Sequence, residues 1–219
     1  MNLNKINNSN LTKRFKNTFF YVILSSFILV LCINFVMLFK YIYYIDIKYL
    51  KLEEISELSF DNLKSNYNYL IDFLYSNSKN FSMPYFKSSY NGRVHFFEVR
   101  NIIKTLNCSL LVTAPISIFY VLRQNAKKNF HYLKYVSIIL CSFPFLLLLP
   151  LAINFSKAFD TFHHILFNND YWIFDETLDP VITVLPERFF MHEGFFLLLI
   201  ILIISISLYF IYRKKKRSS

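Results

Sequence analysis

Glycine is almost missing from this chain: Gly92 and Gly194 are the only two in 219 residues. So few exclude phosphate-cradling glycine loops, dinucleotide fingerprints and the glycine-flanked serine elbow of many hydrolases. No H-E-x-x-H zinc motif occurs. The three cysteines, Cys32, Cys108 and Cys141, all fall inside apolar runs, which argues against a disulfide framework. Charge is thin as well, at 17% of residues, and only 14 Asp and Glu stand against 24 Lys and Arg. In their place the chain carries apolar bulk: 55% hydrophobic, 20% aromatic, mean hydropathy +0.36. That is too apolar for an ordinary soluble domain.

The net charge of +10 invites a nucleic-acid reading, but its distribution excludes one. Lys5, Lys13, Arg14 and Lys16 precede the first apolar run; Arg123, Lys127, Lys128 and Lys134 separate the second from the third; Arg213, Lys214, Lys215, Lys216 and Arg217 follow the fourth. Basic clusters flanking long apolar runs are the positive-inside signature, and the last one also suits anionic membrane lipids. The fold class expected is an integral membrane protein, mainly α, with four transmembrane helices and a small extracytoplasmic α+β cap built from two loops. The spans are expected at 18–41, 102–122, 135–155 and 194–212, each about the length a bilayer core requires. Segments 1–17, 123–134 and 213–219 form the cytoplasmic side, with 1–16 expected to lack structure. Loops 42–101 and 156–193 form the cap. The first run is too long for a signal peptide and no small-residue cleavage site follows it, so it reads as an uncleaved anchor.

Within the cap, Ser59 is a good N-cap, with Asp61 behind it. Leu63, Tyr67, Leu70, Ile71 and Leu74 then recur at helical spacing, predicting an amphipathic helix over 59–75. Asn91-Gly92 is the commonest hairpin turn and predicts a hairpin over 85–97. Phe159, Phe162, His163 and Phe167 suit a helix. Segments 171–174 and 181–185 are expected to pair as strands around a turn at 175–180.

The five histidines are the natural carriers of protons near neutral pH. His131 lies in the inner basic turn, and His192 reads as an interfacial residue. His95 sits just before the second span and His163 just after the third, so both are expected at the same membrane depth, where they would serve as general base and general acid. Around them stand Glu98, Arg100, Asn169, Asp170, Asp175, Asp179 and Glu187 as candidate supporting groups. Phe159, Phe162, Phe167 and Trp172 are candidate pocket walls, although an aromatic belt at the bilayer interface would use the same residues. His95, Glu98, His163 and Asp170 could together bind zinc, which keeps a zinc-dependent membrane hydrolase open as an alternative. A non-enzymatic scaffolding protein is the other. Cys108 reads as structural, so an acyl-handling reaction here is expected to form no acyl-enzyme.

The run F-D-T-F-H-H-I-L-F-N-N-D-Y-W-I-F-D from Phe159, the run L-D-P-V-I-T-V-L-P-E-R-F-F from Leu178, and H-F-F-E-V-R from His95 resemble the signatures of the bacterial lipoprotein intramolecular transacylases. That is a family of small integral membrane proteins, and length, span count and loop order match it too. Glu98 departs from the family's Asp, Glu176 from its Pro, and Gly92 stands at a position often acidic; the doubled histidine at His164 is unusual. The resemblance implies two catalytic histidines, mapping to His95 and His163. It implies as substrate a diacylglyceryl-modified lipoprotein, whose sn-2 acyl chain moves to the α-amine of its own N-terminal cysteine to give a lyso lipoprotein. No metal or cofactor is implied, and the site would face outward from the bacterial cytoplasmic (plasma) membrane.

Overall fold

A computed structural model describes residues 3–217. Nine helices run in order: α1 Leu3–Leu38, α2 Tyr41–Tyr49, α3 Leu52–Ser56, α4 Phe60–Leu74, α5 Tyr90–Ala126, α6 His131–Ile153, α7 Phe155–Leu166, α8 Val181–Val184 and α9 Glu187–Arg217. Four of them contain stretches long and apolar enough to cross a membrane: Arg14–Leu38, Tyr90–Ala126, His131–Ile153 and Glu187–Arg217. The expected structureless N-terminus is instead the start of α1 from Leu3 onward; Met1 and Asn2 lie outside the described residues.

The α+β cap is corrected: among the described residues there is no strand. Asn91-Gly92 does not turn a hairpin but lies in the first turn of α5. Ser89 Oγ accepts from Gly92 N at 2.9 Å, the hydrogen bond of an N-cap serine, and this cap outweighs the local turn preference. The second expected strand is the one-turn helix α8 and its end, which bury Val181, Val184 and Leu185 in the apolar core. Periodicity cannot separate strand from helix in so short an apolar run. Between these stretches Asp175 Oδ1 accepts from Thr177 N at 2.7 Å and Leu178 N at 3.2 Å. That Asx turn leads the chain into α8.

The chain forms two compact units. One comprises the chain up to Ile33, Cys108–Leu146 and the chain from Leu198. Here Phe20 stacks on Tyr120 at 4.6 Å and Tyr21 on Tyr135 at 5.0 Å. Ser205 Oγ donates to Ser137 O at 2.8 Å in a buried setting. Its outer surface carries exposed Leu111, Phe119, Phe145 and Phe210, the composition expected where hydrocarbon is the solvent.

The other unit comprises Asn34–Asn107 and Leu147–Leu197, and it holds every candidate site residue. Its core packs α2, α4 and the start of α9 around Tyr43, which stacks on Tyr67 at 4.1 Å; Phe189 meets both rings edge-on at 5.4 and 5.7 Å. The helix expected at 59–75 is α4, with Ser59 Oγ accepting from Asn62 N at 3.3 Å and Leu63, Tyr67, Leu70, Ile71 and Leu74 buried. With glycine so scarce, the tight corners flanking α3 fall on Lys51 and Glu57, at φ of 56° and 57°. His192 Nδ1 bonds both oxygens of the buried Asp46, at 2.8 and 2.9 Å, tying α9 to α2.

Candidate active site

Two helices deliver the site. α5 starts at a capped N-terminus and presents His95 and Glu98 one turn apart. α7 is capped by Asn154, whose Oδ1 accepts from Lys157 N at 2.9 Å; one turn on it presents Phe159 and two turns on His163. The loop after α7 adds Phe167, Asn169, Trp172 and Phe174.

His95 and His163 come together, with ring centroids 6.1 Å apart and planes 34° from parallel. Both are buried, at 7% and 9% exposure, which is unusual for two histidines side by side. Aromatic rings enclose them. His95 is met edge-on by Phe167 at 4.8 Å and Phe174 at 5.4 Å. His163 stacks on Trp172 at 4.7 Å and lies 4.2 Å from Phe159 and 5.5 Å from Phe162. His164 touches the same indole edge-on at 5.2 Å.

One hydrogen bond fixes the state of His163. Its Nδ1 lies 2.8 Å from Phe159 O. A carbonyl oxygen only accepts, so Nδ1 carries the hydrogen and donates it, leaving Nε2 with its lone pair free. Burial holds the pKa of this imidazole below its ordinary value. The bond to Phe159 and the nearby Asp160 pull the other way, and His164 adds to the lowering. The neutral, Nε2-basic form is therefore the resting one near neutral pH.

Of the expected supporting groups, Glu98 and Asn169 reach this site: Asn169 Nδ2 donates to Glu98 Oε1 at 2.8 Å. Asp179 acts on it indirectly. It is 3% exposed, and its Oδ1 accepts from Ser89 N at 2.8 Å at the start of α5. It sits where the Cβ of any larger residue at 92 would be, 2.2 Å from Oδ1, so glycine there makes room for the carboxylate. Arg100 turns away from the histidines. Its guanidinium lies between Phe73 and Phe97, 4.7 and 4.5 Å from their centroids, and donates to Ser78 O. Asp170 and Asp175 are exposed, and the Asp175 pKa is lowered chiefly by its bonds from Thr177. Glu187 accepts from Ser156 Oγ at 3.0 Å. Among the described residues, no three His, Cys, Asp or Glu side chains converge on a point.

One contributor was not singled out from sequence: Phe174 closes over His95 but is one aromatic among many. Gly92 stands out in the sequence as a turn residue and a family departure, but its contact with Asp179, 87 positions away, is one that no local pattern signals.

A family model described as "Lipoprotein intramolecular transacylase Lit" matches residues 18–190. Among solved structures, the in meso structure of the membrane integral lipoprotein intramolecular transacylase Lit from Bacillus cereus aligns with a TM-score of 0.89 at 37% identity, covering 96% of this chain and 100% of that one. A histidine-to-alanine form of that protein aligns with a TM-score of 0.85 at 36% identity over 98% of this chain and 100% of the other. Comparison with curated proteins gives no significant match.

Proposed function

Since this chain belongs to the lipoprotein intramolecular transacylase family, we propose that His95 and His163 are the pair through which it performs the transfer. The protein is an acyltransferase of a bacterial membrane, and lipoproteins are its substrates. The acyl chain moves from the sn-2 ester of the diacylglyceryl group to the α-amine of the same N-terminal cysteine. The observation that carries this reading is the buried imidazole pair 6.1 Å apart, one ring fixed with a free basic Nε2.

The chemistry needs no enzyme nucleophile; from the ammonium, one proton leaves to free the amine, a second leaves the attacking nitrogen, and one is returned to the departing oxygen. His163 Nε2 removes a proton as the amine nitrogen attacks the ester carbonyl, and an N–C bond forms. The tetrahedral centre collapses, the C–O bond to the glyceryl carbon's oxygen breaks, and the proton taken by His163 is returned to that oxygen, with His95 relaying it by accepting at one ring nitrogen as it donates from the other. Starting from the ammonium form, an amide and a hydroxyl result and one proton is released overall. Because the substrate supplies its own nucleophile, no acyl-enzyme forms, and two imidazoles account for both transfers without a metal. What remains for the protein is positioning. Folding the substrate so that amine and carbonyl meet can supply about 7–11 kcal/mol in favourable cases. The rings of Phe159, Phe162, Phe167, Trp172 and Phe174 suit the glyceryl and acyl surfaces that must be bent together.

The basic clusters support an orientation with both termini and the 123–134 turn in the cytoplasm. Segments 42–101 and 156–193 then lie outside, at the level of lipid esters. Replacing either histidine by alanine is expected to leave the diacylglyceryl lipoprotein unconverted. Mass spectrometry of one lipoprotein's N-terminal peptide from a co-expressing host reads this. Near-normal conversion in a variant removes that histidine from the mechanism.

A further inference from the structure

Three buried polar atoms around the histidine pair have no hydrogen-bond partner among the described residues: His95 Nδ1, Glu98 Oε2 and Trp172 Nε1. Buried polar groups are nearly always paired, so each of these calls for an explanation: Glu98 stands one turn from His95 on α5, and Trp172 stacks on His163. The two atoms beyond the histidine are of opposite kinds. A carboxylate oxygen accepts, whereas an indole N–H can only donate.

Neither atom is loose. Asn169 Nδ2 donates to the other Glu98 oxygen at 2.8 Å, and Asn169 Oδ1 accepts from Tyr171 N at 3.0 Å. The amide is thereby fixed by the backbone and in turn fixes the carboxylate, leaving Oε2 as the free acceptor. Trp172 is held by its stack on His163 and its edge contact with His164. The substrate of the proposed reaction brings one cationic donor, the α-ammonium, and one acceptor at the reacting centre, the ester carbonyl oxygen.

We propose that Glu98, oriented by Asn169, is the binding group for the substrate's primary ammonium, and that the Trp172 indole N–H holds the ester carbonyl oxygen. This rests on the reading of the reaction given above. The carboxylate gathers the ammonium, and one proton is released to give the free amine, leaving Nε2 of His163 to take the second during attack. The amine then attacks the carbonyl carbon while the N–H of Trp172 meets the negative charge growing on oxygen. Charge-assisted bonds of this type are the strong ones in a dry site. Glu98 thus selects a free amine, and an already N-acylated lipoprotein has nothing to offer it.

The test uses the full chain in detergent and an ether-linked dialkylglyceryl-cysteine peptide, which binds but has no ester to transfer. Its free-amine form is expected to bind about 10- to 100-fold more tightly than its N-acetyl form, the range of one charge-assisted hydrogen bond. Glu98→Gln keeps the acceptor for Asn169 but turns an amide NH2 toward the ammonium. In that variant the preference should collapse to within about twofold, with N-acetyl affinity unchanged. A preference that survives Glu98→Gln overturns the assignment. So does an equal loss of affinity for both forms, which would mark a merely structural role. For the indole, Trp172→Phe keeps an aromatic stack and removes the donor; kcat on the ester substrate should fall roughly 10²–10³-fold with KM little changed. An unaltered kcat overturns that half. Full conversion by His163→Ala would sink the underlying reaction scheme instead. Dead His163→Ala beside a normal Glu98→Gln would sink only this inference.

Discussion

Replacing Gly92 by alanine tests whether the start of α5 is set by a carboxylate from far along the chain. The added Cβ would lie 2.2 Å from Asp179 Oδ1 and 2.8 Å from its Cγ, so the carboxylate must swing away. It is buried, and the bond it loses is the one from Ser89 N at 2.8 Å. A hydrogen bond to a charged group contributes about 1.5–3 kcal/mol. Against this, alanine is the better helix former by up to about 1 kcal/mol. The net cost should be about 0.5–2 kcal/mol, or a fall in Tm of about 1–8 °C for a chain of this size. Conversion should fall as well, because His95 follows one turn later on the same helix. Thermal unfolding in detergent and mass spectrometry of the lipoprotein product read the two effects. The decisive measurement is the double variant. With Asp179→Ala in place there is nothing left to displace, so Gly92→Ala should become neutral or mildly stabilising. If it costs the same in both backgrounds, the close approach of Asp179 is not what requires glycine at position 92.

Three further outcomes follow from other parts of the site. Burial holds His163 below the ordinary histidine range near 6.5, so conversion should persist as pH drops through that value and decline only once Nε2 protonates. The stability sign is the same: the unfolded chain binds the proton first, so this group's contribution is complete above about 6.5 and is lost as pH falls through its folded-state value. A pH–rate profile already half-lost at or above pH 7 would contradict the assignment of His163 as base. Asp46→Ala leaves His192 without its partner and should cost about 1.5–3 kcal/mol of stability. Conversion per folded molecule should nevertheless stay near normal, because neither residue touches the histidine pair; a hundredfold loss in the folded fraction would refute that. Conversion should also survive thorough chelation, and its loss there, with recovery on adding zinc, would restore the metal alternative.

The long apolar stretches were legible because their signal is local: about twenty apolar residues, basic flanks, and few charges within. The histidine pair was legible for a related reason. Once span order is known, the residues before the second span and after the third are brought to one level, and that alone nominated His95 and His163. The cap was misread where a short signal met a distant partner. Asn91-Gly92 has a strong turn preference, but Ser89 caps a helix there and Asp179, 87 positions later, fills the space above the glycine. Val181–Leu185 is too short for its period to be read, and burial against α3 settled it as a helical turn. Arg100, expected as a supporting group, and His192, expected at the interface, each bond a distant partner that no local pattern signals: Arg100 reaches Ser78 O between two phenylalanine rings, and His192 reaches Asp46.

The aromatic surroundings serve two ends with one physical cause. Excluding water from His163 disfavours its charged form, so the imidazole stays neutral and able to take a proton near neutral pH. The same exclusion makes each unpaired polar atom costly, about 1–3 kcal/mol for a neutral group and more for a carboxylate. His95 Nδ1, Glu98 Oε2 and Trp172 Nε1 are buried without a protein partner among the described residues. A ligand that supplies a donor to the carboxylate and an acceptor to the indole removes that cost on binding. A folded diacylglyceryl-cysteine, with its ammonium and ester carbonyl close together, does so in the geometry from which the acyl chain moves. Meeting both groups at once favours the folded conformer before any proton is transferred.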